Sequence, residues 1–190
     1  MLNNEGTTVL YQKLEHLLSK ALEEELIEDA IICKNDLERN KLWEIRENAA
    51  ENEKKELINS HAKKCLKHDI SLPINNIEKF HQETQKMIST KIKNTRTIFF
   101  GHLGDGNLHY NIFGNGKGDD GFENQSQNIT ENLYKIIEKL NGSFSAEHGI
   151  GQLKKDNLRF FKDPVAYNLM KNIKYMIDPK NIMNPGKILI

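Results

Sequence analysis

The strongest constraint on this chain lies at Asp105-Gly106, a dipeptide set between two strand-like runs, Thr97 to Phe100 and Leu108 to Phe113. Asp-Gly in that setting signals a tight hairpin, because the favoured two-residue turn needs positive φ at both central positions. With Asp105-Gly106 as the two-residue loop, Gly104 pairs with Asn107, Leu103 with Leu108 and His102 with His109. Directly opposed residues have Cβ atoms about 4.5–5.5 Å apart. Two imidazoles at that spacing can converge on one cation, and Asn111 shares their face because side chains alternate along a strand.

The rest of the chain supplies helices and short strands. Leu10, Leu14, Leu17 and Ala21 recur at helical spacing and predict an amphipathic helix from Val9 to about Glu25. Ala30 to Cys33 has strand length. A second helix is expected from about Asp36 to Leu57, with Leu42, Ile45 and Ala49 on one face and Trp43 beside Arg46. Lys67 to Pro73 reads as a strand that the proline stops. Asn75 and Glu78 look like a cap for a helix carrying Ile77, Phe80, Thr84, Met87 and Ile88. Gly114 to Gly121 reads as a solvated loop; its Gly-Asn-Gly-Lys-Gly lacks the Lys-Ser/Thr ending of a phosphate loop. Ile129, Leu133, Ile136 and Leu140 mark another helix, and Ser143 to Ala146 another short strand. Asp163 and Pro164 suit the N-cap and first position of a helix through Leu169, Ile173 and Ile177, before a turn-rich tail from Asp178. This order predicts an α+β fold: an antiparallel sheet with helices on one side, with room for two split β-α-β units.

Composition excludes several functions. In 190 residues, 27 Lys+Arg balance 27 Asp+Glu, so neither a nucleic-acid clamp nor a polybasic membrane binder is expected. No apolar run reaches the ~20 residues of a transmembrane segment. The N-terminus has no basic-then-apolar signal pattern. Cys33 and Cys65 make neither a disulfide framework nor a zinc knuckle, which suits a reducing, cytoplasmic setting.

A third metal ligand would be a carboxylate or another histidine. Ser145-Ala146-Glu147-His148-Gly149-Ile150-Gly151 offers both, between glycines that let the backbone fold sharply. Two histidines and a carboxylate leave coordination positions open for water or substrate. Without Glu147 and His148, a hydrogen-bonded cross-strand histidine pair would be the simpler reading.

Four stretches, in order, resemble the C-terminal domain of FAD-linked oxidases, the group of D-2-hydroxyglutarate dehydrogenase, D-lactate dehydrogenase and the glycolate oxidase flavin subunit. They are Leu42-Trp43-Glu44-Ile45-Arg46-Glu47, Lys67 to Pro73, Gly101 to Asn111 with Glu147 to Gly151, and Asn184-Pro185-Gly186-Lys187-Ile188-Leu189. The resemblance implies a fold similar to two joined ferredoxin-like units. It implies that His102, His109 and Glu147 ligate a divalent metal, zinc in most descriptions. It implies that Arg46 and Lys67 hold a substrate carboxylate, that Asn111 contacts substrate, that His148 is the base, and that Asn184 and Lys187 lie near the flavin. Some relatives carry a hydroxyl four residues after the arginine, where this chain has Ala50.

The chemistry implied is hydride transfer from a 2-hydroxy acid to FAD. The guanidinium holds a carboxylate by two parallel hydrogen bonds, the metal acidifies the hydroxyl and a near-neutral histidine takes its proton. Taken as one domain over residues 1–190, the chain matches only this part of the family. The FAD-binding half, and even the first strand of the C-terminal domain, are expected to be missing. The isolated chain is then inactive and works with a separate FAD-binding chain; a homodimer through the uncovered face is compatible with this. The competing readings are a non-catalytic remnant and a stand-alone metal-binding protein.

Overall fold

The computed structural model describes residues 4–59, 65–93, 95–114 and 121–189. The chain divides into two compact units, Met1–Asn48 and Ala49–Ile190. The first unit contains α1 (Asn4–Glu23) and α2 (Asp36–Glu47). The α2 N-terminus is closed reciprocally: the Asn35 side chain accepts from Glu38 N at 2.9 Å, and the Glu38 carboxylate accepts from Lys34 N and Asn35 Nδ2. This satisfies donors that the first helical turn leaves open. The expected strand at Ala30–Cys33 does not form; the segment joins no sheet among the described residues. Nor does one helix run from Asp36 to Leu57, because Asn48 ends α2 by donating its backbone N–H to Glu44 and Arg46 carbonyls.

The second unit opens with α3 (Ala49–Asn59), then β1 (Cys65–Ser71), α4 (Ile77–Ser89), β2 (Arg96–His102), β3 (Asn107–Phe113), α5 (Phe122–Lys139), α6 (Lys155–Phe161) and α7 (Pro164–Ile177). The three strands form one antiparallel sheet in the order β1-β3-β2. Beyond the free edge of β1, Ser143 exchanges two backbone hydrogen bonds with Ser71, at 2.8 and 2.9 Å. The expected strand Ser143–Ala146 is reduced to this single bridge. The described residues form one sheet, an α+β arrangement with seven helices.

The hairpin forms with a different register from the two-residue turn. His102 pairs with Asn107 and Phe100 with His109. The loop is therefore Leu103 to Gly106, a short helical turn closed by Gly106 N donating to Leu103 O at 3.0 Å. Four-residue loops of this kind are built on ordinary αR turn geometry, so positive φ is needed once, at the end. Gly106 supplies it with φ 64°, and a Cβ there would stand 1.9 Å from Leu72 O. The shift is two residues, so side-chain parity survives: His102 stays on the His109 face but one rung further along.

Alternation divides the sheet into an apolar and a polar face. Ile70, Leu108, Tyr110 and Ile112 join Phe80 and Ile88 of α4 and Ile129, Leu133 and Ile137 of α5 in one buried cluster. Each such side chain contributes roughly 1.5–3 kcal/mol when fully buried. The Tyr110 hydroxyl is satisfied by Gln85 Nε2 and His81 Nδ1. Helix α4 is led by a 3₁₀ turn, Ile74–Asn76, rather than by an Asn75 cap; Asn76 Nδ2 instead donates to Leu140 O at 3.0 Å. At α7 the Asp163-Pro164 cap forms as expected, with Asp163 accepting from Ala166 N at 2.9 Å. Of the loop expected at Gly114 to Gly121, residues 115–120 lie outside the described residues.

His68 faces the buried side, between Tyr110 O at 3.1 Å and Thr130 Oγ1 at 3.2 Å. Desolvation pushes its pKa down to about 4 from 6.5. The unfolded chain then binds a proton below pH 6.5 that the native state refuses until about pH 4. Stability is full above 6.5 and falls as the pH drops through this window, by about 3 kcal/mol for this group. Urea unfolding from pH 7 to pH 4 will show that decline, and His68→Gln will make the slope shallower.

Candidate metal and substrate site

The polar face of the sheet carries the residues singled out by sequence. Three cross-strand rows lie on it: Lys67, Asn111 and Ile98; then Asp69, His109 and Phe100; then Ser71, Asn107 and His102. The Phe100 and His109 rings lie 5.2 Å apart between centroids. Asp69 and His109 are directly opposed, which places imidazole and carboxylate side by side.

Asp69 organises the loop above this face. Its carboxylate is almost fully buried and accepts backbone N–H groups from Ala146 (3.0 Å), Glu147 (3.1 and 3.2 Å) and His148 (3.0 Å). Burial raises the pKa of such a group, but the three backbone donors outweigh it and hold Asp69 below its ordinary value. The segment after Ser143 thus leaves the sheet edge because a side-chain carboxylate takes its amides. Gly149 and Gly151, with φ 73° and 53°, turn the chain back as the sequence suggested.

The loop delivers Glu147 and His148 onto His109. Glu147 Oε2 stands 3.6 Å from His109 Nε2, while its Oε1 accepts from Asn107 Nδ2. The His148 ring stacks on His109 at 5.6 Å and 25°. Asp69 lies 3.9 Å from Nδ1 of both histidines. This arrangement directs His109 Nε2 at Glu147 while Nδ1 faces Asp69, the usual orientation of a metal-ligating histidine backed by a carboxylate.

The donor set suits a divalent cation. Ligand atoms about 2.1 Å from one tetrahedral centre lie about 3.4 Å apart, so His109 Nε2 and Glu147 Oε2 meet that spacing with almost no movement. Ligand atoms of Asp69, His109 and His148 also fall within 4.8 Å of one another. Asp69 is already occupied by backbone donors, whereas Glu147 is half-exposed. Glu147 is therefore the more accessible of the two carboxylates and Asp69 the more firmly held. Asn107 Oδ1 is buried beside this cluster with no hydrogen-bond partner among the described residues. An acceptor left bare there adds to the negative potential that a cation would relieve.

His102 shares the face but sits exposed on the Asn107 rung, outside the His109–Glu147 contact. Lys67 and Asn111 come together through a residue that sequence reading passed over: Glu53 of α3 accepts from Lys67 Nζ at 2.6 Å and from Asn111 Nδ2 at 2.7 Å. These groups line a cleft of about 600 Å³ with Phe100, His109, Glu147 and His148. Arg46 belongs to the first unit, in the last turn of α2. The Ala50 side chain lies outside the described residues. Asn184 and Lys187 form an exposed turn, with Lys187 N donating to Asn184 O at 3.4 Å. Asp69 was within reach of sequence reading, since period-two alternation from Lys67 places it on the same face. Glu53 had no comparable signal.

Asp69→Asn keeps the shape but removes the charge and one acceptor. Hydrogen bonds to charged groups contribute about 1.5–3 kcal/mol each. Amide exchange of residues 146–148 will therefore accelerate roughly a hundredfold in this variant, while protection at Ile70 and Tyr110 persists.

Comparison with known proteins shows the family. Residues 2–188 match the family model of FAD linked oxidases, C-terminal domain. The chain is 34% identical over 161 residues to D-2-hydroxyglutarate dehydrogenase of Stutzerimonas stutzeri, covering 84% of this chain and 33% of that protein. It is 34% identical over 179 residues to the mitochondrial D-2-hydroxyglutarate dehydrogenase of Arabidopsis thaliana, covering 94% of this chain and 30% of that one. The rat mitochondrial enzyme of the same name is 32% identical over 179 residues, with 94% and 31% covered. The chain thus spans about a third of the length of these relatives. By the match over nearly its whole length, the chain belongs to the FAD-linked oxidase C-terminal domain family.

Proposed function

We propose that this chain is the substrate- and metal-binding domain of a flavin-dependent 2-hydroxy-acid dehydrogenase. The observation that carries the reading is the His109–Glu147 contact of 3.6 Å, set in a cleft beside Lys67 and Asn111. In this reading His102, His109 and Glu147 hold a divalent metal, zinc by preference. Arg46 and Lys67 bind the substrate carboxylate, Asn111 orients the substrate, and Asn184 and Lys187 face the flavin. A bound cation supplies Lewis acidity toward the substrate hydroxyl, and bound flavin supplies the acceptor for the hydride from Cα.

His148 is the group that takes the hydroxyl proton. Its Nδ1 lies 3.9 Å from Asp69, which favours the tautomer protonated there and leaves the Nε2 lone pair as the acceptor. The same carboxylate stabilises the imidazolium once the proton arrives. Phe100 keeps one side of His109 apolar, which limits water beside the ligand. The flavin acceptor is brought by a separate FAD-binding chain, and on this reading the isolated chain oxidises nothing.

His109→Ala removes a ligand whose other nitrogen is already oriented. Elemental analysis of the purified chain will find about one zinc per chain in the wild type. The affinity will fall by well over tenfold in the variant. Stoichiometric zinc retained by His109→Ala would overturn the assignment.

A further inference from the structure

Glu53 occupies the place that a substrate carboxylate would take. Its side chain is 5% exposed, and its two oxygens are divided between the Lys67 ammonium (2.6 Å) and the Asn111 amide (2.7 Å). A carboxylate held by one ammonium and one side-chain amide is the arrangement that a small carboxylic acid would make with the same two donors. The rest of the cleft does not offer a ready alternative. Of the two ammonium groups lining it, Lys154 donates to Phe144 O at 2.9 Å and Lys67 is held by Glu53. Against these two cations the lining sets three carboxylates, Glu53, Asp69 and Glu147. Asp69 and Glu147 are committed to the loop amides and to His109 and Asn107, so among the described residues Glu53 neutralises the Lys67 corner.

We propose that Glu53 is a built-in competitor for the carboxylate subsite, and that an incoming substrate carboxylate reaches Lys67 and Asn111 only as Glu53 withdraws. The inference rests on the assignment of Lys67 and Asn111 as substrate-binding residues. It adds a specificity determinant to them: affinity for carboxylate ligands is set by the exchange of one carboxylate for another and not by the bare attraction of an ammonium. Two like charges cannot share that corner without a large penalty. Ligands are therefore selected by what they gain elsewhere in the cleft.

The test uses the full chain labelled with ¹⁵N, with glutarate as the probe and the Asn111 side-chain amide resonance as the reporter. Glu53→Gln keeps the volume and can still accept one hydrogen bond, but it frees the Lys67 charge. Glutarate will bind this variant at least tenfold tighter than the wild type, with saturable shifts at the Asn111 amide. Adding Lys67→Gln to that variant will abolish the gain. Should Glu53→Gln fail to fold, Glu53→Asp retains the charge on a shorter stem and will show an intermediate gain. Equal or weaker glutarate binding by a folded Glu53→Gln chain would assign Glu53 to holding Lys67 in place and would overturn the inference. The measurement reads neither flavin nor metal content. Failure of the metal-site reading, seen as absent zinc or as zinc retained by His109→Ala, is therefore distinguishable from failure of this one.

Discussion

The site depends on one buried carboxylate. Asp69 comes from a strand held on its other side by the core residue Ile70, so its position is set by the best-packed part of the molecule. Its oxygens then collect three consecutive backbone amides of a loop that has no strand to join. A desolvated charge needs several hydrogen bonds to be tolerated, and three amides in a row need an acceptor. Each side satisfies the other's requirement. Ladder pairing leaves the β1 edge after Ser143 for that reason, and Glu147 and His148 consequently arrive together above His109.

This arrangement separates two tasks often given to one acid. Asp69 is almost fully buried and fixed by three backbone amides, which makes it a good orienting group for two imidazoles. Glu147 is half-exposed and, among the described residues, holds the Asn107 amide besides its approach to His109. The difference follows from burial. A carboxylate with three fixed donors gives up little by staying where it is, whereas one at the mouth of a cleft can exchange a neighbour for a cation at small cost.

Much of this was legible because it is encoded locally. The Asp105-Gly106 signal located the hairpin, helical periodicity located α4 and α5, and Asp163-Pro164 located the start of α7. The misses share a physical cause, which is competition from groups distant in sequence. The hairpin register moved by two because the Gly106 carbonyl accepts from Leu72 N, and the packing there demands a wider loop than Asp-Gly alone prefers. The strand expected at Ser143–Ala146 lost its Ala146 amide to Asp69, 77 residues earlier in the chain, and its Ser145 amide to Ser143 Oγ. The Asn75 cap gave way to a 3₁₀ turn whose Asn76 side chain serves Leu140 instead. Because the register error was an even number, the facing of His102, His109 and Asn111 survived even though the direct His102–His109 opposition did not.

Glu53 extends the same reasoning to binding. A polar sheet face that carries Lys67, Asp69, His109 and Asn111 cannot be covered by apolar side chains without stranding those groups. Helix α3 meets the constraint by inserting an acid where the face is cationic, much as the 146–148 loop presents amides where it is anionic. The face is thus internally hydrogen-bonded at both ends, with Lys67 and Asn111 closed by Glu53 and Asp69 closed by the loop. The His109–Glu147 pair lies between them, beside an unpartnered Asn107 oxygen. Charge that is unsatisfied by the protein's own groups accumulates in that middle position, which is where a cation would complete the balance.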